Sequence, residues 1–79
     1  CICAAPLLLL DQGLNETFPM TCHPSVENEF SSLISKSTVS NQHIITSKGA
    51  GTAIPFSLAI IEHLLDKDTA QNIADAICF

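Results

Sequence analysis

Hydrophobic positions fall in blocks separated by polar or glycine-rich breaks. The first runs from Ala4 to Asp11 and predicts a short helix, with Gly13 in the place where helices stop. Phe18 to Cys22 is short, apolar and β-prone, and predicts a strand. His23-Pro24 ends it, because proline cannot donate to a ladder and restrains its predecessor. Ser25 is placed to cap a helix over Val26 to Ile34, with Glu27 favoured in its first turn by the helix dipole. Thr38 to Ser40 and His43 to Ser47 flank Asn41-Gln42 and predict a tight hairpin. A glycine-rich break, Lys48 to Thr52, leads into the longest helix, with Thr52 as its expected cap and Pro55 tolerated in its first turn. Ile54, Phe56, Leu58, Ile60, Ile61, Leu64 and Leu65 cover more than one face, so this helix is expected to be covered on several sides. A last helix over Asp68 to Cys78 carries a narrower stripe of Ala70, Ile73, Ala74 and Ile77, and Asp68 with Gln71 loosely fits a capping box.

Strands interleaved with helices predict an α/β layered architecture. The apolar helices need a sheet to pack on, yet only two or three short strands are predicted, and none precedes the first helix. Doubly wound domains run to roughly 100–200 residues. Residues 1–79 therefore read as the C-terminal portion of a single larger domain, its sheet completed by an N-terminal half of the same protein.

Composition narrows the function classes. With 79 residues the chain forms one small domain at most, and 47% apolar residues make it globular in character. There is no Trp or Tyr, so the core is expected to be aliphatic. Net charge is −5, and Lys36, Lys48 and Lys67 are the only Lys or Arg residues. Nucleic-acid binding and attraction to anionic membranes both need a basic footprint that this balance does not supply. The apolar stretch before Asp11 falls far short of the ~20 residues of a membrane span, and no basic region precedes it as in a signal peptide. Cys1, Cys3, Cys22 and Cys78 would permit three disulfide pairings. Their irregular spacing in an aliphatic chain favours reduced thiols, hence the cytoplasm. Asn15-Glu16-Thr17 matches a glycosylation sequon, a pattern short enough to arise by chance.

The strongest candidate chemistry is at Cys3. A residue between a strand end and a helix start, followed by small residues, has the physics of a nucleophile elbow. The turn exposes the side chain, and the helix N-terminus beyond it favours an anion. Ile2-Cys3-Ala4-Ala5-Pro6 supplies the small residues and an early proline, although a buried thiol in an apolar stretch fits the same residues. A zinc site built from Cys1, Cys3, Cys22 and His23 is disfavoured. Zinc-binding cysteine pairs are usually separated by roughly two to four residues, and adjacent strand residues point to opposite faces. Gly49-Ala50-Gly51 lacks the full glycine pattern and the ribose-binding acid of a phosphate cradle, so no cofactor is implied. His43 and His63 read as surface residues, Cys22 and Cys78 as core thiols, and Leu7 to Leu10 as core.

CICAAP, then TCHP, then IITSKGAGTAIPFSLAIIEHLL, in this order and at compatible spacings, resembles the ThiJ/PfpI superfamily along the whole chain. The similarity is greatest to the branch of the Parkinsonism-associated protein deglycase and the bacterial ThiJ proteins. There the elbow reads roughly A-[IV]-C-A-[GA]-P, and the later segment reads I-[IL]-T-S-[RQ]-G-P-G-T before a long helix. The resemblance implies a flavodoxin-like doubly wound sandwich, of which this chain is the C-terminal part.

It also implies that Cys3 is the nucleophile, that the Ala4 N–H is an oxyanion donor, and that His23 is a nearby polar or acid–base partner. Gly49, Gly51 and Thr52 match the loop before a dimer-facing helix, so a homodimer is expected. The implied chemistry is glyoxalase or deglycase action on a small aldehyde or glycated substrate, with a redox-sensing or chaperone-like stress protein as the alternative. Protease-like members carry a His directly after the cysteine; Ala4 stands there, so a protease would lack its base. Lys48 and Ala50 depart from the usual Arg or Gln and Pro. The family's tuning glutamate comes from the N-terminal half, and no acidic residue of this chain matches it.

Overall fold

A two-stranded antiparallel sheet lies at the centre of the chain, in a computed structural model that describes residues 1–41 and 43–79. Strand β1 spans Thr38–Ser40 and β2 spans Ile45–Ser47, paired Thr38 to Ser47, Val39 to Thr46 and Ser40 to Ile45. This is the predicted hairpin. Asn41 closes its loop: its Oδ1 accepts from the amides of His43 and Ile44, both at 2.9 Å. Gln42, the second residue of the expected tight turn, lies outside the described residues.

Ile2 forms a parallel bridge with Ser47, so the residues before the first helix lie alongside β2. Helix α1 spans Pro6–Asp11, with the buried Pro6 in its first turn, where its missing N–H costs no helical bond. Gly13 follows at φ 73°, a left-handed position that a β-carbon disfavours. The core beneath α1 is Met20, Cys22 and Phe30, with Leu7, Leu9, Leu10, Phe18, Val26 and Leu33 packed against it. Leu8, 66% exposed, is not part of the core expected of the leucine run, because its helical position faces away from Met20.

Phe18 to Cys22 does not form the expected strand. A strand needs a continuous backbone ladder, and its neighbour Cys3 turns at φ 63°, so pairing stops at one bond, from His23 N–H to the Cys3 carbonyl. The Thr21 amide goes instead to the Thr46 side-chain oxygen. The helix expected over Val26 to Ile34 is also corrected. A 3-10 segment covers Pro24–Glu29, and its cap is His23, not Ser25. Phe30 is extended at φ −102° and ψ 139°, and burying its ring against Met20 and Cys22 outweighs the weak helix propensity of Asn28, Ser31 and Ser32.

Helix α2 spans Ala53–Leu64 and α3 spans Lys67–Ala76. Helix α2 packs against both strands and α3. Yet none of its residues is fully buried, contrary to the expected cover on several sides, and Leu64 is 71% exposed. Thr52 precedes α2 but does not cap it; its hydroxyl turns back to Gly49. Asp66, not Asp68, caps α3, accepting from the Thr69 amide at 2.6 Å, while Gln71 pairs along the helix with Asp75. The side-chain and backbone hydrogen bonds from Thr69 hold the Asp66 carboxyl below the usual carboxylate range.

Cys78 is exposed, not core. The amide of Phe79 reaches the Ala74 carbonyl and that of Cys78 the Asp75 carbonyl, the two bonds of a Schellman end, with Cys78 left-handed at φ 62°. The helical stripe stops one residue earlier than its spacing suggests. Among the described residues no helix is long and apolar enough to cross a membrane.

Candidate active site

The sequence from Ile2 to Pro6 folds as a strand end, a sharp turn and a helix start. Cys3 N–H donates to the Ser47 carbonyl at 3.0 Å, and the Ser47 amide donates to the Cys1 carbonyl at 3.1 Å, which fixes this end in register with β2. Immediately afterwards the chain turns: the Ala5 amide returns to the Ile2 carbonyl at 3.1 Å. Cys3 itself takes φ 63°, a region that L-residues with a β-carbon seldom occupy, and its side chain is exposed. Small neighbours, Ala4 and Ala5, make so tight a turn possible. The Ala4 amide has no hydrogen-bond partner among the described residues, as an oxyanion donor requires.

His23 is brought to Cys3 through the backbone, its amide donating to the Cys3 carbonyl at 2.8 Å. The half-buried imidazole is ordered by the turn that follows, with Nδ1 3.0 Å from the Ser25 amide and 2.8 Å from its hydroxyl. Across the ring, a β-carbon at Gly49 would stand 3.3 Å from His23 Cδ2. The glycine loop therefore lies against the histidine. Gly51 has open space around it and makes no such contact.

Beneath these residues is a polar core that residue type alone does not disclose. Thr46 and Ser47 are 0% exposed. Ser47 Oγ contacts the hydroxyls of Thr38 (2.8 Å) and Thr52 (2.6 Å) and the Ser37 carbonyl (2.9 Å). Thr52 Oγ1 in turn donates to the Gly49 carbonyl at 2.9 Å and accepts its amide at 3.2 Å. Each buried polar side-chain atom among the described residues has a partner, as a low-dielectric site demands. Sequence reasoning recognised TSKGAGT as a loop and did not assign its hydroxyls this role; the run of Thr and Ser inside an apolar strand was the available signal.

Cys22 behaves differently from Cys3. It is buried in the core, and burial pushes its thiol above the ordinary 9.0, an effect that the Glu27 carboxylate adds to and Lys48 partly offsets. It is a core thiol, as predicted. Cys1 and Cys3 are exposed and all four cysteines are free. Among the described residues no three His, Cys, Asp or Glu side chains gather as a metal-binding group. His43 is exposed and meets Phe18 edge to face at 5.7 Å; His63 is exposed on α2.

The model of the DJ-1/PfpI family matches residues 1–63. Protein dj-1beta of Drosophila melanogaster is 36% identical over 80 residues, an alignment covering 96% of this chain and 43% of the fly protein. The glutathione-independent glyoxalase DJR-1.2 of Caenorhabditis elegans is 32% identical, with 98% of this chain and 43% of the relative aligned. Among solved structures, oxidized Toxoplasma gondii DJ-1 superposes with a TM-score of 0.89 at 30% identity, over 99% of this chain and 44% of that one. The chain thus spans less than half the length of the relatives it matches.

Proposed function

The chain belongs to the DJ-1/PfpI family, and on that premise we propose that Cys3 is the nucleophile of a glyoxalase- or deglycase-type reaction on small reactive aldehydes or glycated groups. The observation that carries this reading is the strained, exposed turn at Cys3, with φ 63° and beside it an Ala4 amide that has no partner among the described residues. Strain of this kind persists where the surroundings enforce it and gathers at functional sites. The glyoxalase name of the nematode relative adds support.

In the proposed reaction the Cys3 thiolate adds to the aldehyde carbon, forming the C–S bond while the carbonyl π pair moves to oxygen. The Ala4 N–H stabilises that oxygen, and a proton equivalent to the one lost by the thiol ends on it, giving a hemithioacetal. His23 is the nearby polar partner of this step. We further propose that an N-terminal half supplies the remaining strands of a flavodoxin-like sandwich, the second oxyanion donor and the glutamate against the sulfur. The working protein in this reading is a cytoplasmic homodimer.

Methylglyoxal turnover by the full-length protein tests the proposal. Cys3→Ser is expected to lower kcat by a factor on the order of 10³ or more. Undiminished turnover would overturn it. The oxidized form of the Toxoplasma relative favours a second reading, in which the exposed thiol is a stress sensor oxidised to the sulfinic acid. Oxidation-dependent protection of client proteins that is lost in Cys3→Ser, with no methylglyoxal turnover in the parent protein, would establish that alternative.

A further inference from the structure

Resting on the proposed role of His23, we infer that Ser25 and Gly49 are positioning residues for its imidazole. Together they fix which ring nitrogen carries the proton and in what orientation the ring stands.

The protonation pattern follows from a donor that cannot reverse its role. A backbone amide only donates, so the 3.0 Å contact from Ser25 N–H makes Nδ1 the acceptor. The neutral ring then carries its proton on Nε2. With a lone pair on Nδ1, the Ser25 hydroxyl at 2.8 Å is a donor as well, and one residue sends two hydrogen bonds to one nitrogen. Turning the ring over would set a C–H against both donors and leave them unpaired there.

Gly49 holds the other edge. Its φ of 171° is extended backbone open to any residue, so glycine is not required there for its dihedral. What matters is the missing side chain: a β-carbon would stand 3.3 Å from Cδ2, closer than ordinary van der Waals contact, so the ring would have to shift relative to Ser25. Gly49 is itself held at both its amide and its carbonyl by Thr52 Oγ1, which lies 2.6 Å from Ser47 Oγ. The Ser47 carbonyl accepts from Cys3, and the Cys3 carbonyl accepts from His23. The circuit of Cys3, His23, Gly49, Thr52 and Ser47 therefore closes on itself, holding the ring relative to the turn that bears the thiol.

The consequence is chemical. With its Nδ1 lone pair committed to Ser25, the neutral imidazole has only Nε2–H to offer. It enters the addition step as a hydrogen-bond donor, and not as a base that takes the thiol proton.

Long-range proton–nitrogen NMR of the full-length protein, labelled at histidine nitrogen and assigned by His23→Gln, reads the tautomer directly. The Nε2–H form is expected in the parent protein. Ser25→Pro removes the amide donor and the hydroxyl and should admit the Nδ1–H form. Methylglyoxal kcat should then fall about three- to ten-fold, the range of one lost hydrogen bond, with KM unchanged. Gly49→Ala should move the same signals, while Ser25→Thr, which keeps both donors, should retain the parent spectrum and rate. An Nδ1–H tautomer in the parent protein overturns the inference, as does a kcat indifferent to Ser25→Pro. Turnover that survives Cys3→Ser would instead defeat the nucleophile reading and leave the spectrum untouched.

Discussion

Around Ser47, polar atoms are sealed from water and satisfied within the chain; on α2 and α3, apolar side chains face outward. Ser47 and Thr46 are fully buried, Ser47 with hydroxyl and carbonyl partners and Thr46 with the Thr21 amide, at 2.6–2.9 Å. Ile54 and Leu64 on α2 and Ile73 on α3 are exposed by contrast, as are Leu65, Ile77 and Phe79 just beyond the helix ends. The first region is held by directional bonds, whose partners must be present for it to form at all. The second depends on burial, which is non-directional and needs only apolar area against it. The residues around Cys3 therefore carry their own scaffold, whereas the helices gain stability from any further surface that covers them.

Ser47→Ala strikes the first region hardest. It removes one partner each from the Thr38 and Thr52 hydroxyls and from the Ser37 carbonyl, which keeps the Lys48 amide, and it is expected to cost about 1–2 kcal/mol in urea unfolding of the full-length protein. A cost under about 0.5 kcal/mol would mean that the network is not what holds β2. Leu64→Gln probes the second region. At 71% exposure it should cost under about 0.5 kcal/mol, the range of surface changes. A loss above about 1.5 kcal/mol in the full-length protein would show that another surface covers α2 there.

Asp66→Ala is expected to lower the unfolding midpoint through loss of the α3 cap. Its sign with pH is fixed. The folded carboxyl lies below its ordinary value of 3.8, so the cap contributes fully above that pH and the contribution is lost as pH falls through the folded value. The midpoint difference between parent and variant should thus shrink on acidification below ~4, and a difference that grew would contradict the assignment.

Elements whose residues carry a local signal were legible from the sequence. The helix punctuated by Pro6 and Gly13, the hairpin of β-prone triplets and the long apolar helix all appear with small boundary shifts, because caps, breakers and periodicity act within a few residues. Phe18 to Cys22 was misread as a strand, since strand identity belongs to a pair, and its neighbour turns away at Cys3. Val26 to Ile34 has helical spacing, but Phe30 is buried more effectively in extended chain. Of the candidate site, the elbow at Cys3 could be read from Ile2-Cys3-Ala4-Ala5-Pro6. The contacts of His23 with Ser25 and Gly49 could not be read jointly, because Gly49 is distant in sequence and only folding brings it to the ring.

By itself, then, the sequence determined the order of elements, the acidic charge, the thiol at a turn with small neighbours, and the resemblance that the family match bears out. Each rests on residue identity or on spacing within one helix, strand or turn. Only the tertiary structure decided that Cys78 is exposed, which nitrogen of His23 accepts, and how Ser47 and Thr52 tie the glycine loop to Cys3. Burial and hydrogen-bond closure between residues far apart in the chain are properties of the packed molecule, and no local pattern encodes them.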